Sequence, residues 1–327
     1  MAHIDITVVV PTYRRPDLLK RCLHALGRQT YPKYRFEVIV VSDGPDSQTE
    51  GVVRALRQQY PDLQLSCTAL ETQRGPAAAR NAGWRQGHAD LIVFTDDDCI
   101  PSMLWLEEYA KAYRPHSGEA AAFTGRVTVP IPDPPTDYQK NIAHLSTADF
   151  ITANCACSRK ALELTGGFDE TFPAAWREDS DLEFNLLKNN IPIVHVRQAH
   201  VCHPVRDADW GISIREQRKS MFNALLFKKY PNLYRKKISA RPVWNYYVII
   251  LSSIAFCIAW AFDAELLAAG ALSVWFFSIL AFIIKRLRGT DGSFSHRMEM
   301  IITSIVIPYL SVYWTLRGAL RYKVFFL

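Results

Sequence analysis

The sequence predicts an α/β fold, a mainly parallel sheet covered by helices on both faces, followed by C-terminal transmembrane helices. Three observations carry that prediction. Short β-branched runs alternate with segments of helical period through residues 1–240. Three of those runs end directly in a polar motif, at Pro11, Asp43 and Asp96. Residues 241–327 then hold long apolar runs flanked by Lys and Arg. Alternating strands and helices give a parallel sheet buried on both sides, and ligands of such sheets gather beyond the carboxyl ends of the strands.

The elements follow in order. Ile6 to Val10 is a β-branched run that reads as a buried strand breaking at Pro11. A helix is predicted from Asp17 to Arg28, with Leu18, Leu19, Cys22, Leu23 and Leu26 at helical spacing. Phe36 to Val41 is a second buried strand, ending at Ser42-Asp43-Gly44-Pro45. A helical stretch leads to a strand near Leu63 to Leu70, and Gly75-Pro76 opens a helix that ends near Gly87. Leu91 to Phe94 is a strand running into Asp96-Asp97-Asp98. Beyond Ala120 the pattern loosens. Ile151 to Cys157 resembles a strand, Gly166-Gly167-Phe168-Asp169 a turn, Asp179 to Leu187 the start of a helix, and Ile193 to Val196 a short strand before His200 and His203. Asp209 to Tyr230 reads as one basic, amphipathic helix suited to a membrane surface.

Residues 246–262 and 266–284 are apolar and separated by Asp263-Ala264-Glu265. Each approaches the ~20 residues that cross a bilayer, so the pair predicts a helical hairpin. Lys228, Lys229, Arg235, Lys236, Lys237 and Arg241 precede it, and Lys285, Arg286 and Arg288 follow it. Basic flanks favour the cytoplasmic side, which places the acidic turn outside and makes the protein multi-pass in the inner membrane with residues 1–240 cytoplasmic. The third apolar segment, about 300–317, contains Pro308, and spanning and interfacial placements both stay open for it. The net charge of +6 is explained by these flanks, and no basic-aromatic motif points to nucleic acid. The 7 cysteines are scattered without a C-x-x-C pair, which favours a reducing compartment over a disulfide framework or zinc site. Ile4 to Val10 is too short for a signal peptide and reads as strand.

The chemistry centres on Asp96-Asp97-Asp98. Adjacent carboxylates at a strand end repel one another unless a cation neutralises them, and hard divalent ions take such oxygens. Capping a helix after Pro101 would need only one of the three. A Mn²⁺ or Mg²⁺ held here would neutralise a diphosphate leaving group. A dinucleotide-binding oxidoreductase is disfavoured, because no G-x-G-x-x-G follows the first strand.

Six motifs carry a resemblance. Pro11-Thr12-Tyr13-Arg14-Arg15, Val40-Val41-Ser42-Asp43-Gly44, Arg74-Gly75-Pro76-Ala77-Ala78-Ala79-Arg80-Asn81-Ala82-Gly83, Asp96-Asp97-Asp98, Gly166-Gly167-Phe168-Asp169-Glu170 and Arg177-Glu178-Asp179-Ser180-Asp181-Leu182 occur in that order. Together they resemble family 2 inverting glycosyltransferases of GT-A fold, Rossmann-like enzymes that use a nucleotide-diphosphate sugar. The resemblance implies that Pro11, Thr12, Tyr13, Arg15, Asp43, Arg74, Arg80, Asp96 and Asp97 bind the nucleotide-sugar, a UDP-sugar being favoured. It implies Asp98, Asp96 and His203 as metal ligands, with His200 as the alternative histidine. Imidazole suits Mn²⁺ better than Mg²⁺. Asp179 would be the base of a single displacement, with the second catalytic-site carboxylate Glu178 orienting it or binding acceptor hydroxyls, and Trp176 and Asp181 would meet the acceptor. The chain departs from the pattern in having Ser42 before Asp43, and it lacks the Q-x-x-R-W of processive synthases, since Gln217-Arg218-Lys219 has no Trp. It is therefore expected to be non-processive, acting on a lipid-linked or cell-envelope glycan. Transfer to polyprenyl phosphate and a catalytically silent membrane scaffold are the alternatives.

Overall fold

The computed structural model describes residues 4–327. They form two compact units. The first comprises the described residues up to Pro130 together with Ala143–Val205, and the second comprises Ile131–Ile142 and Arg206–Leu327. The units part at 205/206, ahead of the 240/241 division drawn from the apolar runs, because the short helices after residue 206 pack on the last long helix of the chain.

The first unit is built on β1 (Ile6–Thr12), β2 (Phe36–Ser42), β3 (Gln64–Ala69), β4 (Leu91–Phe94), β5 (Ile100–Pro101), β6 (Ala122–Thr128), β7 (Cys155–Ser158) and β8 (Ile193–Cys202), in the sheet order β3-β2-β1-β4-β7-β6-β8-β5. β3, β2, β1 and β4 are mutually parallel, as are β6 and β8. β7 runs antiparallel between β4 and β6, and β5 is an antiparallel edge on β8. Every residue of β1, β2 and β4 is buried, which is why these runs are largely apolar rather than alternating; inside them the Thr7 hydroxyl donates to the buried Glu37 carboxylate at 2.7 Å. Each fully buried Val, Ile or Leu contributes roughly 1.5–3 kcal/mol, so this half of the sheet is the stability reservoir of the unit.

β1 does not break at Pro11; it continues to Thr12, with Pro11 opposite Val41 of β2. The carbonyl of Val9 accepts from Thr95 on the β4 side and that of Thr12 from Asp43 on the β2 side. The ring nitrogen of Pro11 therefore faces the β4 side, where β4 has already ended at Phe94, and the missing donor costs no ladder bond.

Helices α1 (Pro16–Gly27), α2 (Ser47–Gln59), α3 (Pro76–Gln86) and α4 (Trp105–Tyr113) connect these strands. Pro16 sits in the first turn of α1, where its missing N–H is harmless, and Leu19, Cys22, Leu23 and Leu26 form the buried face. α3 lies close on β1 and β2 because its inner face is Ala77, Ala78, Ala79 and Gly83. A Cβ on Gly83 would stand 2.4 Å from a Val9 methyl. The strand expected over Ile151–Cys157 is shorter, because residues 152–154 form a turn of 3-10 helix that buries Asn154 completely. Asn154 Nδ2 donates to the carbonyls of Arg126 and Ala199, and its Oδ1 accepts from Trp105 and Tyr109. Those carbonyls flank the register shift where Gly125–Val196 pairing passes to Arg126–His200. The bulge lets β8 run on past Val196 to Cys202, longer than its apolar start predicts.

Helix α5 (Asp137–Ala143) follows β6 in the chain, and α6 (Arg159–Thr165) and α7 (Glu178–Lys188) follow β7. The second unit contains α8 (Ile212–Glu216), α9 (Met221–Lys229), α10 (Pro231–Lys237), α11 (Trp244–Ala261), α12 (Glu265–Leu287) and α13 (Phe294–Tyr322). The single helix expected from Asp209 to Tyr230 is instead α8, a 3-10 turn over residues 217–220, and α9. α11, α12 and α13 are each long and apolar enough to cross a membrane. The third segment is one unbroken helix of 29 residues that passes through Pro308. Leu251, Trp260, Phe262, Leu266, Leu267 and Phe277 are more than half exposed, an apolar surface of a kind that lipid covers. Within this unit Arg286 is buried and donates to Asp137, Ser213, Thr303 and Ser304, so its charge is fully engaged.

Candidate active site

The site lies at the carboxyl ends of β1, β2 and β4, where the parallel order of these strands delivers three motifs to one edge. β2 ends in Asp43, which is buried. Its carboxylate accepts from the backbone N–H of Arg74 at 2.7 Å and of Gly75 at 2.9 and 3.0 Å. Asp43 thus fixes the loop that starts α3, besides any contact it makes with a base. Gly75 has φ +95, and a Cβ there would lie 2.3 Å from the Pro173 carbonyl oxygen. Only glycine allows this approach. Arg74 is exposed and pairs with Glu170, while Tyr13 is half-buried beside Gly44.

The three carboxylates after β4 take three different environments. Asp96 is partly open and accepts from Arg80 at 2.7 Å. Asp97 is turned inward, accepting from the Thr12 hydroxyl at 2.7 Å and pairing with Arg15 at 3.4 Å. Burial pushes its carboxyl up to about 6, with Arg15 and Thr12 opposing. Asp98 is buried, and its Oδ1 lies 3.5 Å from His203 Nε2 and 3.9 Å from Cys99 Sγ. No helix is capped by any of the three, since α4 begins only at Trp105.

Asp96, Asp98, Cys99 and His203 each offer a ligand atom, all within 4.8 Å of one another. Two ligands about 2.1 Å from one ion lie roughly 3.0–3.5 Å apart, so the Asp98–His203 spacing is that of a shared ion. His203 Nδ1 is buried with no hydrogen-bond partner among the described residues. The Cys99 thiol is a soft donor, whereas Mn²⁺ and Mg²⁺ prefer oxygen and imidazole, so the harder set is Asp96, Asp98 and His203. These residues fit Mn²⁺ or Mg²⁺. His200, the alternative histidine, is taken up by Thr128 Oγ1 at 2.8 Å. The N–H of His203 donates to the Thr128 carbonyl, which pins it at the end of β8.

α7 supplies the second carboxylate group. Its N-cap, Arg177, has φ +76, a strained position for a side chain of this size, and it stacks on Trp176. Glu178 is buried on Arg80 at 3.2 Å. Burial, and then the neighbouring Asp179, push its carboxyl up, while Arg80 pulls it down. Asp179 stays partly open, accepting from Ser180 N at 2.6 Å, and Trp176 is exposed. Asp181 is 1% exposed, so the side chain expected to meet an acceptor lies inside the protein.

Arg80, read from the sequence as a nucleotide-sugar ligand, is 2% exposed, and its guanidinium is occupied by Asp96 and Glu178. Burial works against its charge, but the two carboxylates more than restore it. Three residues escaped the sequence reading. Cys99 lies against the candidate metal ligands, Asn154 props the β8 bulge, and Asn81 binds both the N–H and the carbonyl of Phe168 as well as Glu170. Asn81 sits inside a motif already singled out, so its position was visible although its partners were not.

Residues 7–165 match the family described as glycosyl transferase family 2. Glycosyltransferase AglE of Haloferax volcanii is 35% identical over 102 residues, 31% of this chain and 33% of that protein. Validoxylamine A glucosyltransferase of Streptomyces hygroscopicus subsp. limoneus is 27% identical over 258 residues, 66% of this chain and 53% of that protein. The chain thus spans between a third and about half of the length of these curated relatives. Among solved structures, the mannosyltransferase PcManGT from Pyrobaculum calidifontis, in complex with GDP-Man and Mn²⁺, aligns with a TM-score of 0.60 at 21% identity, covering 97% of this chain and 88% of that one. That likeness speaks to the fold. The chain therefore carries a glycosyl transferase family 2 domain of GT-A fold, followed by three helices apolar enough to cross a membrane.

Proposed function

We propose that this chain is a metal-dependent, inverting, non-processive glycosyltransferase. It moves a sugar from a nucleotide-diphosphate sugar to a lipid-linked or cell-envelope glycan acceptor, at the cytoplasmic face of the inner membrane. The observation that carries the reading is the Asp96, Asp98 and His203 cluster at the strand ends, with Asp179 on α7 as a partly open carboxylate.

The proposed roles follow from the contacts. Pro11, Thr12, Tyr13, Asp43 and Arg74 line the edge where the base and ribose would sit, with Thr12 and Arg15 acting through Asp97. A Mn²⁺ or Mg²⁺ bound by Asp96, Asp98 and His203 would supply Lewis-acid stabilisation of the diphosphate leaving group. Asp179 would take the proton of the acceptor hydroxyl as it attacks the anomeric carbon, a single displacement that inverts it. Trp176, exposed next to Asp179, offers a flat face to an acceptor sugar. A UDP-sugar is the favoured donor, although GDP-Man, the ligand named for PcManGT, must be tried beside it.

The test is a donor panel with the purified membrane protein: each nucleotide-sugar with Mn²⁺ or Mg²⁺, scored for nucleotide release and transfer. Metal-dependent release with one donor supports the reading, and silence with all donors, together with no Mn²⁺ binding, sinks it. Topology is tested with Cys257 replaced by Ala. A cysteine at Ala264 should be labelled from outside the cell and one at Gly289 should not, and the reverse pattern would overturn the orientation.

A further inference from the structure

We infer that Arg80 is a positioning residue that ties the metal carboxylate to the helix carrying the base, without touching donor or acceptor. The inference rests on the proposed glycosyl transfer for its meaning, but its geometry stands by itself. Arg80 is among the largest fully buried side chains of the protein. One guanidinium nitrogen donates to Asp96 at 2.7 Å and another to Glu178 at 3.2 Å, and its face lies 5.5 Å from the centre of the Phe168 ring. Burial on every side leaves no face for a nucleotide. A buried cation holding two carboxylates, each from a different segment, fixes the distance between those segments.

What it fixes is specific. Asp96 follows β4 and offers an oxygen to the metal cluster. Glu178 opens α7, one residue before Asp179. The α7 N-cap is Arg177, in the left-handed region and with no side-chain cap, so the first turn of α7 lacks the usual local support. Arg80 supplies a tether from outside the helix. The next residue, Asn81, clamps the backbone of Phe168 on both sides, so α3 holds the ring on which Arg80 rests. α3 thereby sets Asp96 and Asp179 in one frame. Lysine keeps the charge but has no planar fork to reach both carboxylates at fixed spacing.

The experiment compares wild type, Arg80→Lys, Glu178→Ala and the double variant, full-length in detergent. Mn²⁺ affinity is read by electron paramagnetic resonance, UDP and GDP affinity by calorimetry, turnover with whichever donor the wild type uses, and backbone hydrogen exchange over residues 176–182. Arg80→Lys should lower kcat by on the order of 100-fold, the cost of misplacing a reacting group by about 1 Å. Nucleotide affinity should stay at the wild-type level and Mn²⁺ affinity should fall by no more than about 10-fold through the weakened Asp96 contact, while amides in the first turn of α7 exchange faster. Glu178→Ala cuts the same tether from the other side and should do likewise, and the double variant should be no worse than either single one. Loss of nucleotide affinity in step with turnover would make Arg80 a donor ligand and overturn the inference, as would additive losses or unchanged exchange. If Arg80→Lys does not fold, Glu178→Ala alone decides on the same readouts. If the wild type transfers no sugar, the proposed function fails, and the exchange data still decide the tether.

Discussion

The two halves of the candidate site are built by different means. In the half proposed for the donor, β1, β2 and β4 are parallel, wholly buried strands that stop at a common edge, so Thr12, Asp43 and Asp96 are positioned by main-chain geometry. In the half proposed for the acceptor, α7 begins after an irregular run from Gly166 to Arg177, and side chains hold it: Asn81 on Phe168, Arg74 on Glu170, and Arg80 on Glu178. Strand register delivers the first half, and individual buried hydrogen bonds deliver the second. The donor half should therefore tolerate the loss of single side-chain contacts better than the acceptor half does.

The largest expected effect is on the metal. Chelation with EDTA should abolish transfer, and added Mn²⁺ or Mg²⁺ should restore it; full turnover in chelator would remove Asp96, Asp98 and His203 from the mechanism. Gly75→Ala comes next. It meets the Pro173 carbonyl and strains φ +95, at a cost of roughly 2–5 kcal/mol, read as a lowered melting temperature. It should also weaken nucleotide binding, because the N–H groups of Arg74 and Gly75 would leave Asp43. An unshifted melt would show that the loop yields freely.

Asn81→Ala tests the acceptor half. Removing a fully buried amide that serves both the N–H and the carbonyl of Phe168 should cost about 1–3 kcal/mol and lower turnover more than nucleotide affinity. Equal losses of both would erase the contrast between the halves. The smallest effect concerns the histidines. His203→Ala should weaken Mn²⁺ by at least about 10-fold, whereas His200→Gln, which alters only the Thr128 contact, should leave it unchanged. The opposite ranking would exchange their roles.

The same contrast explains what the sequence reveals. Ile6–Val10, Phe36–Val41 and Leu91–Phe94 announce themselves as strands because burial on both faces leaves them almost wholly apolar, the exceptions Thr7 and Glu37 being hydrogen-bonded to each other. A carboxylate motif after such a run has nowhere to lie but the sheet edge. Pro11 misled, since proline ends most strands, and only the early stop of β4 makes it acceptable here. Arg80 and Asp181 look on paper like charged surface residues of helices, yet both are buried; for Arg80 the burial depends on Glu178, 98 positions away, and periodicity carries no trace of that. β8 looked short because its polar continuation through Arg197, Gln198 and His200 hides a bulge held by Asn154. Apolar length alone marks α11 and α12, and their observed bounds lie within three residues of those read from the sequence.

The most direct test of the account compares Asp179→Asn with Asp98→Asn, measuring donor binding and transfer on the same preparations. Asp179→Asn keeps size and most hydrogen bonding but cannot accept a proton, so transfer should fall by about 10²–10⁴-fold while Mn²⁺ and nucleotide affinity hold. Asp98→Asn should lose Mn²⁺ and nucleotide affinity together with transfer. An Asp179→Asn variant that transfers sugar at the wild-type rate, or that loses nucleotide binding as Asp98→Asn does, would contradict the division into a metal-bearing donor half and a base-bearing acceptor half.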